Sequence, residues 1–139
     1  MTSINRRNFL LGTAAAAGLS VVTLGTDGVA FASTILPYTP ENWEQAIASG
    51  QPVAVRFFET WCSNCTAQGK TLSMLVEQDP AFADYIVIEA PFATNRAFAA
   101  NLGIRRRTSI AIVVDGQVVT HVTGATGHKA IHDLLQQGL

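Results

Sequence analysis

Along residues 33–139 the apolar positions switch repeatedly between a helical period and short continuous runs, and these switches mark out the elements. Thr39 and Pro40 supply a cap and a first helical position for a helix with Trp43, Ala46 and Ile47 on one side, ended by Gly50 and Pro52. VAVRFF, Val53 to Phe58, is β-branched and aromatic, the pattern of a strand covered on both faces. From Ser63 to Gln78, Leu72, Leu75 and Val76 predict a helix that stops before Pro80. YIVIEA, Tyr85 to Ala90, reads as a second strand. In TNRAFAANLG, Thr94 is the expected cap of a third helix, Phe98 and Leu102 lie four apart, and Gly103 is the stop. SIAIVV and QVVTHVT are two more strands, joined by a tight hairpin at Asp115-Gly116, and a last amphipathic helix carries Ile131, Leu134 and Leu135. The order α-β-α-β-α-β-β-α joins βαβ units, which pair in parallel, to a hairpin that adds an antiparallel edge. The expected fold class is α/β, with a central mixed four-stranded sheet between two layers of helices.

Residues 1–32 do not fit this pattern. Arg6 and Arg7 precede an apolar stretch from Phe9 to about Leu24, and Ala30 and Ala32 provide the small residues of an A-x-A cleavage site. The arginine pair followed by Asn8, Phe9 and Leu10 resembles a twin-arginine signal, which exports folded proteins. A membrane anchor needs roughly 20 strongly apolar residues. This stretch is short, rich in Ala and Gly, and broken by Thr13, Ser20 and Thr23. An export signal over 1–32, cleaved after Ala32, is therefore expected; left uncleaved, it would anchor the protein to a membrane. Ser33 to Leu139 then forms one domain, with seven Lys/Arg against nine Asp/Glu and a net charge of −2. That balance gives no reason to expect nucleic acid or an anionic membrane as partner, and the domain is expected to be a monomer. Export to the periplasm, or out of the cell, puts the cysteines where a disulfide persists.

Both cysteines fall in ETWCSNCTAQ, residues 59–68, where the first strand runs into the second helix. Cys62 at the open end of a helix meets unpaired N–H groups and the positive end of the dipole, which favour thiolate over thiol. Cys65, one turn further in, is shielded and close enough to attack a mixed disulfide on Cys62. Other uses fit less well. A structural zinc site needs four ligands, and there is no second cysteine pair; His128 and His132, four apart on the last helix, read as solvated surface. Attachment of c-type haem needs His after the second cysteine, and Thr66 stands there. A structural disulfide closing so small a loop removes little entropy from the unfolded chain.

The chain resembles the thioredoxin family over nearly all of residues 33–139. VAVRFFETWCSNC is similar to the family's first core strand running into W-C-x-x-C, LGIRRRTSIAIVVDGQVV to its Gly-Ile-x-x-x-Pro loop, strand and turn, and VTGATGHKAIHDLL to its closing strand, Gly and helix. The leader and hairpin resemble the periplasmic thiol:disulfide reductase branch. The resemblance implies a three-layer α/β/α sandwich and a thiol–disulfide oxidoreductase, more a reductase or electron relay than an oxidase. It also implies no cofactor beyond a redox-active Cys62–Cys65 disulfide, a protein disulfide as substrate, and an upstream electron donor.

Three departures from the family pattern stand out. The family's cis-proline, facing the disulfide, falls at Thr108, so a trans Arg107–Thr108 peptide and a reshaped loop are expected. Losing the proline also removes a block to metal approaching the thiols, which leaves an iron–sulfur or other metal-binding module as the alternative. A non-catalytic interaction domain is the other. Next, the family's buried Asp aligns with Arg56 and its opposing Lys with Glu89. Either the buried pair is reversed, with Glu89 as proton acceptor for Cys65, or Arg56 snorkels out at a sheet edge. Finally, Arg105 to Arg107 lie on the loop beside Cys62, as a solvated turn or with Arg107 stabilising the thiolate or attracting an acidic surface. Ser63 and Asn64 lie between the cysteines and tune the couple. Trp61 offers a flat apolar surface for a partner or a packing residue; Phe57 and Phe58 are assigned to the core, and Gly124 to a turn or a close approach near the site.

Overall fold

The computed structural model describes residues 34–139; the signal predicted over 1–32 lies outside the described residues. The elements are β1 (Thr34–Pro37), α1 (Pro40–Ala48), β2 (Val53–Phe58), α2 (Ser63–Gln78), β3 (Ile86–Pro91), α3 (Arg96–Asn101), β4 (Ser109–Val114), β5 (Gln117–Thr123) and α4 (His128–Gln136). A 3₁₀ turn, Pro80–Phe82, links α2 to β3. The sheet has five strands rather than four, in the order β1-β3-β2-β4-β5. β1 is the addition, a parallel edge strand on β3 with Thr34 level with Ile86. Its four residues, TILP, are too few to carry a period and end in Pro37, which an edge tolerates.

β2 sits at the centre, parallel to β3 and antiparallel to β4, so its alternate residues face two different layers. Val53, Val55 and Phe57 join Ala46, Ala99, Leu102 and Ile104 in a core on the α1 and α3 side. Ala54 packs with Leu72, Leu75, Val76, Ile131 and Leu135 on the α2 and α4 side. Burial on both faces explains why β2 and β4 read as nearly continuous apolar runs, interrupted in β2 by Arg56. Thr39 caps α1 as expected, its Oγ1 accepting from the Asn42 N–H at 3.0 Å.

Two boundaries differ from the expectation. β3 begins at Ile86, because the Tyr85 N–H closes the preceding turn on the Phe82 carbonyl, while its hydroxyl donates to the Leu135 carbonyl at 2.6 Å. At α3 the cap position belongs to Asn95, not Thr94; the Asn95 amide donates to the Pro91 carbonyl at 2.8 Å and to Thr94 Oγ1 at 3.2 Å. Among the described residues no helix is long and apolar enough to cross a membrane.

Candidate active site

The end of β2 hands the chain to α2, and Cys62 is the N-cap of that helix. Its sulfur does what a serine or aspartate oxygen does at such a position: it accepts the Cys65 N–H, at 3.2 Å. Cys62 is 7 % exposed and Cys65 1 %, and both are free thiols here. The outer sulfur is thus reachable and the inner one sealed behind it.

Thr108, across from the pair, brings its hydroxyl within 3.4 Å of Cys62 Sγ and 3.1 Å of Cys65 Sγ. The Arg107–Thr108 peptide is trans, and Thr108 takes φ +59°. For a β-branched residue that conformation is strained, and it persists only when the surroundings hold it. They do: the Thr108 N–H donates to the Phe57 carbonyl at 2.9 Å, and the Thr108 carbonyl accepts from the Gly124 N–H at 2.7 Å. That carbonyl also accepts from Gln68 Nε2 at 3.1 Å. Ser109 Oγ fixes the loop from the other side, donating to the Arg106 carbonyl at 2.8 Å.

Burial works against ionisation of the Cys62 thiol, but opposing contacts outweigh it. Hydrogen bonds from the Cys65 side chain, Thr108, the Cys65 N–H and Arg107 together lower its pKa from 9.0 to about 6. Arg107 also lies over the Trp61 ring, its Cζ 4.4 Å from the centroid, and Trp61 is 70 % exposed. Arg107 therefore faces the thiol, while Trp61 is an open platform rather than a packing residue. Ser63 and Asn64 are exposed on the first turn of α2, and Asn64 lines a cleft with Cys62.

Beneath Cys65, Arg56 and Glu89 are paired across β2 and β3, where the register sets them side by side. Arg56 Nη2 and Nε donate to Glu89 Oε1 at 2.8 and 3.1 Å, and Nη1 donates to the Cys65 carbonyl at 2.9 Å. Arg56 is buried, so the snorkelling alternative does not hold. Its guanidinium lies 4.6 Å from the Phe58 centroid, and Phe58 is half-buried rather than a core residue. Gly69 makes room: a Cβ there would sit 2.7 Å from Arg56 Cζ. Gly124 serves a turn, at φ +82° with open space around an added Cβ, rather than a close approach.

Sequence reasoning did not single out Gln68, Gly69 or Ser109. Gln68 is fully buried and ties α2 to the Thr108 loop and to the Ala125 carbonyl. His132 is half-buried against Phe82, with Nε2 3.9 Å from Asp79 Oδ2, so it is not the solvated residue expected. Among the described residues no group of three or more His, Cys, Asp or Glu side chains is arranged to hold a metal.

The family model described as Thioredoxin matches residues 34–137. Thioredoxin from Griffithsia pacifica is 29 % identical over 97 residues, 69 % of this chain and 86 % of that protein. Thioredoxin 1 from Synechococcus elongatus is 27 % identical over 97 residues, covering 69 % and 88 %. The crystal structure of Trxlp from Edwardsiella tarda EIB202 superposes with a TM-score of 0.68 at 30 % identity, over 73 % of this chain and 98 % of that one.

Proposed function

The chain belongs to the thioredoxin family, and from that premise we propose that it works as an exported reductase or electron relay with Cys62 as nucleophile. It is a protein-disulfide oxidoreductase with a Cys62–Cys65 pair. Proteins of this family act on protein disulfides through a redox-active cysteine pair rather than an organic cofactor. The observation that carries the assignment of roles is the Cys62 sulfur at the N-cap of α2, with its pKa lowered to about 6 and Cys65 buried behind it.

The reaction follows from that arrangement. The Cys62 thiolate attacks one sulfur of the partner disulfide, a Cys62–partner bond forms, and the partner's other sulfur leaves as a thiolate that takes a proton from water. Cys65 loses its proton and attacks Cys62 Sγ; the second partner sulfur leaves and is protonated. Two electrons pass to the partner, and Cys62–Cys65 becomes the disulfide. Glu89, held by Arg56 in the cleft that also reaches Cys65, is the proposed acceptor of the Cys65 proton. Thr108 and Arg107 stabilise the Cys62 thiolate, which favours the reduced form and makes the disulfide more oxidising. The domain is placed by this reading in the periplasm as a monomer, and the leader sequence supports the export part of it.

Single-turnover exchange with a disulfide-bonded protein tests the roles. Cys62→Ser is expected to abolish exchange, whereas Cys65→Ser accumulates a mixed disulfide on Cys62. A mixed disulfide trapped on Cys65 in Cys62→Ser, with none on Cys62 in Cys65→Ser, would reverse the assignment. Equilibration with thiol–disulfide buffers tests the direction: a potential between about −270 and −200 mV supports reduction or relay, and one above about −180 mV assigns the protein to the oxidants.

A further inference from the structure

The cleft that opens onto Cys62 has a volume of about 460 Å³ and is lined by Asn64, Phe92, Arg105, Arg106 and Arg107 among others. Three of the seven basic residues in 33–139 meet here, and none of the nine acidic residues lines it. The surrounding domain carries a net charge of −2, so the positive cleft runs against the charge of the molecule. Arg107 is engaged by Cys62 and Trp61. Arg105 and Arg106 are exposed, and neither forms an ion pair with a carboxylate among the described residues.

We propose that this cleft selects polypeptide disulfides flanked by Asp or Glu, with Arg105 and Arg106 pairing with the flanking carboxylates beside Cys62. The inference rests on the oxidoreductase reading and adds the substrate class. Before attack the thiolate offsets one of the three positive charges. In the mixed disulfide that negative charge is gone, because Cys62 Sγ is now bonded to the partner's sulfur and the displaced sulfur has left as a thiolate. The arginines then face an uncompensated cleft unless the partner supplies carboxylates, which a guanidinium receives in a two-pronged contact. The adjacent exposed Trp61 provides the apolar area on which the peptide lies. Opposite charge also speeds encounter and penalises a basic flank.

The test uses the reduced full chain and three synthetic peptides of equal length. Each holds one intramolecular disulfide, flanked on both sides by Asp, by Ser or by Lys. Every rate is divided by the rate of the same peptide with an uncharged phosphine reductant, which removes intrinsic differences in disulfide reactivity without adding a charge effect of its own. The Asp peptide is expected to exceed the Ser peptide by about tenfold at low salt, and the Lys peptide to fall below it. The spread shrinks near 1 M salt, where screening acts within about 3 Å. In the double variant Arg105→Gln, Arg106→Gln the Asp-to-Ser ratio drops toward one. Equal rates for the three peptides, or an unchanged ratio in the double variant, overturn the inference alone. No exchange with any peptide overturns the oxidoreductase reading and the inference with it.

Discussion

Thr108 holds a conformation that β-branched residues avoid, and five hydrogen bonds, three from its backbone and two from its hydroxyl, keep it there. Installing the family's proline at this position alone is expected to fail. The ring fixes φ near −65° and removes the N–H that reaches the Phe57 carbonyl. Thr108→Pro should lose more than about 1 kcal/mol in urea unfolding. Thr108→Gly accepts the positive φ, keeps the fold, and raises the Cys62 pKa by deleting the hydroxyl, which an alkylation-rate profile against pH would register. Unchanged titration in the glycine variant would remove the hydroxyl from the thiolate's support. At this scale much of the site is legible in the sequence. Cys62, Cys65 and Thr108 follow from motif and alignment, and Arg56 and Glu89 from being exchanged together. Gln68 is not legible, because a polar residue on a helix looks solvent-facing until the neighbouring loop is known to fold over it.

α2 is both the platform for the thiols and the lid over the Arg56–Glu89 pair, and it meets β2 through a glycine. Gly69→Ala would drive a methyl group against the Arg56 guanidinium. The guanidinium, at the end of a flexible side chain, must then shift, which weakens its bonds to Glu89 and the Cys65 carbonyl and is expected to cost about 1 kcal/mol. A lower unfolding midpoint with a slower Cys65-dependent resolution step is expected; stability within about 0.5 kcal/mol of wild type would show that α2 shifts freely. The longer elements are readable because β2 and β4, buried on both faces, show as short apolar runs, while α2 buries one face and shows a helical period. β1 is not, since an edge strand of four residues buries too little to impose a pattern. Phe58 fails for the related reason that it lies at the strand's end, where apolar sequence continues after the sheet's cover has stopped.

Across the whole molecule, the lowered Cys62 pKa ties stability to pH in one redox form only. The folded pKa of about 6 lies below the ordinary 9.0, so between them the unfolded dithiol chain binds more protons than the folded one. The dithiol form therefore gains stability as pH rises through this window and loses it as pH falls through about 6. The disulfide form has no such thiol. Denaturant midpoints of the two forms, compared from about pH 5 to 9, should converge or cross accordingly; a pH-independent difference would mean the thiol is not lowered. A last consequence comes from the direction of the strands. β1, β3 and β2 run parallel with Thr34 and Val53 both level with Ile86, and Cys62 follows the far end of β2. Thr34 thus lies about 20 Å from the thiols, at the opposite end of the sheet. Fixed to a surface through that end, the molecule presents its reactive pole outward, so tethering and access to partners do not compete.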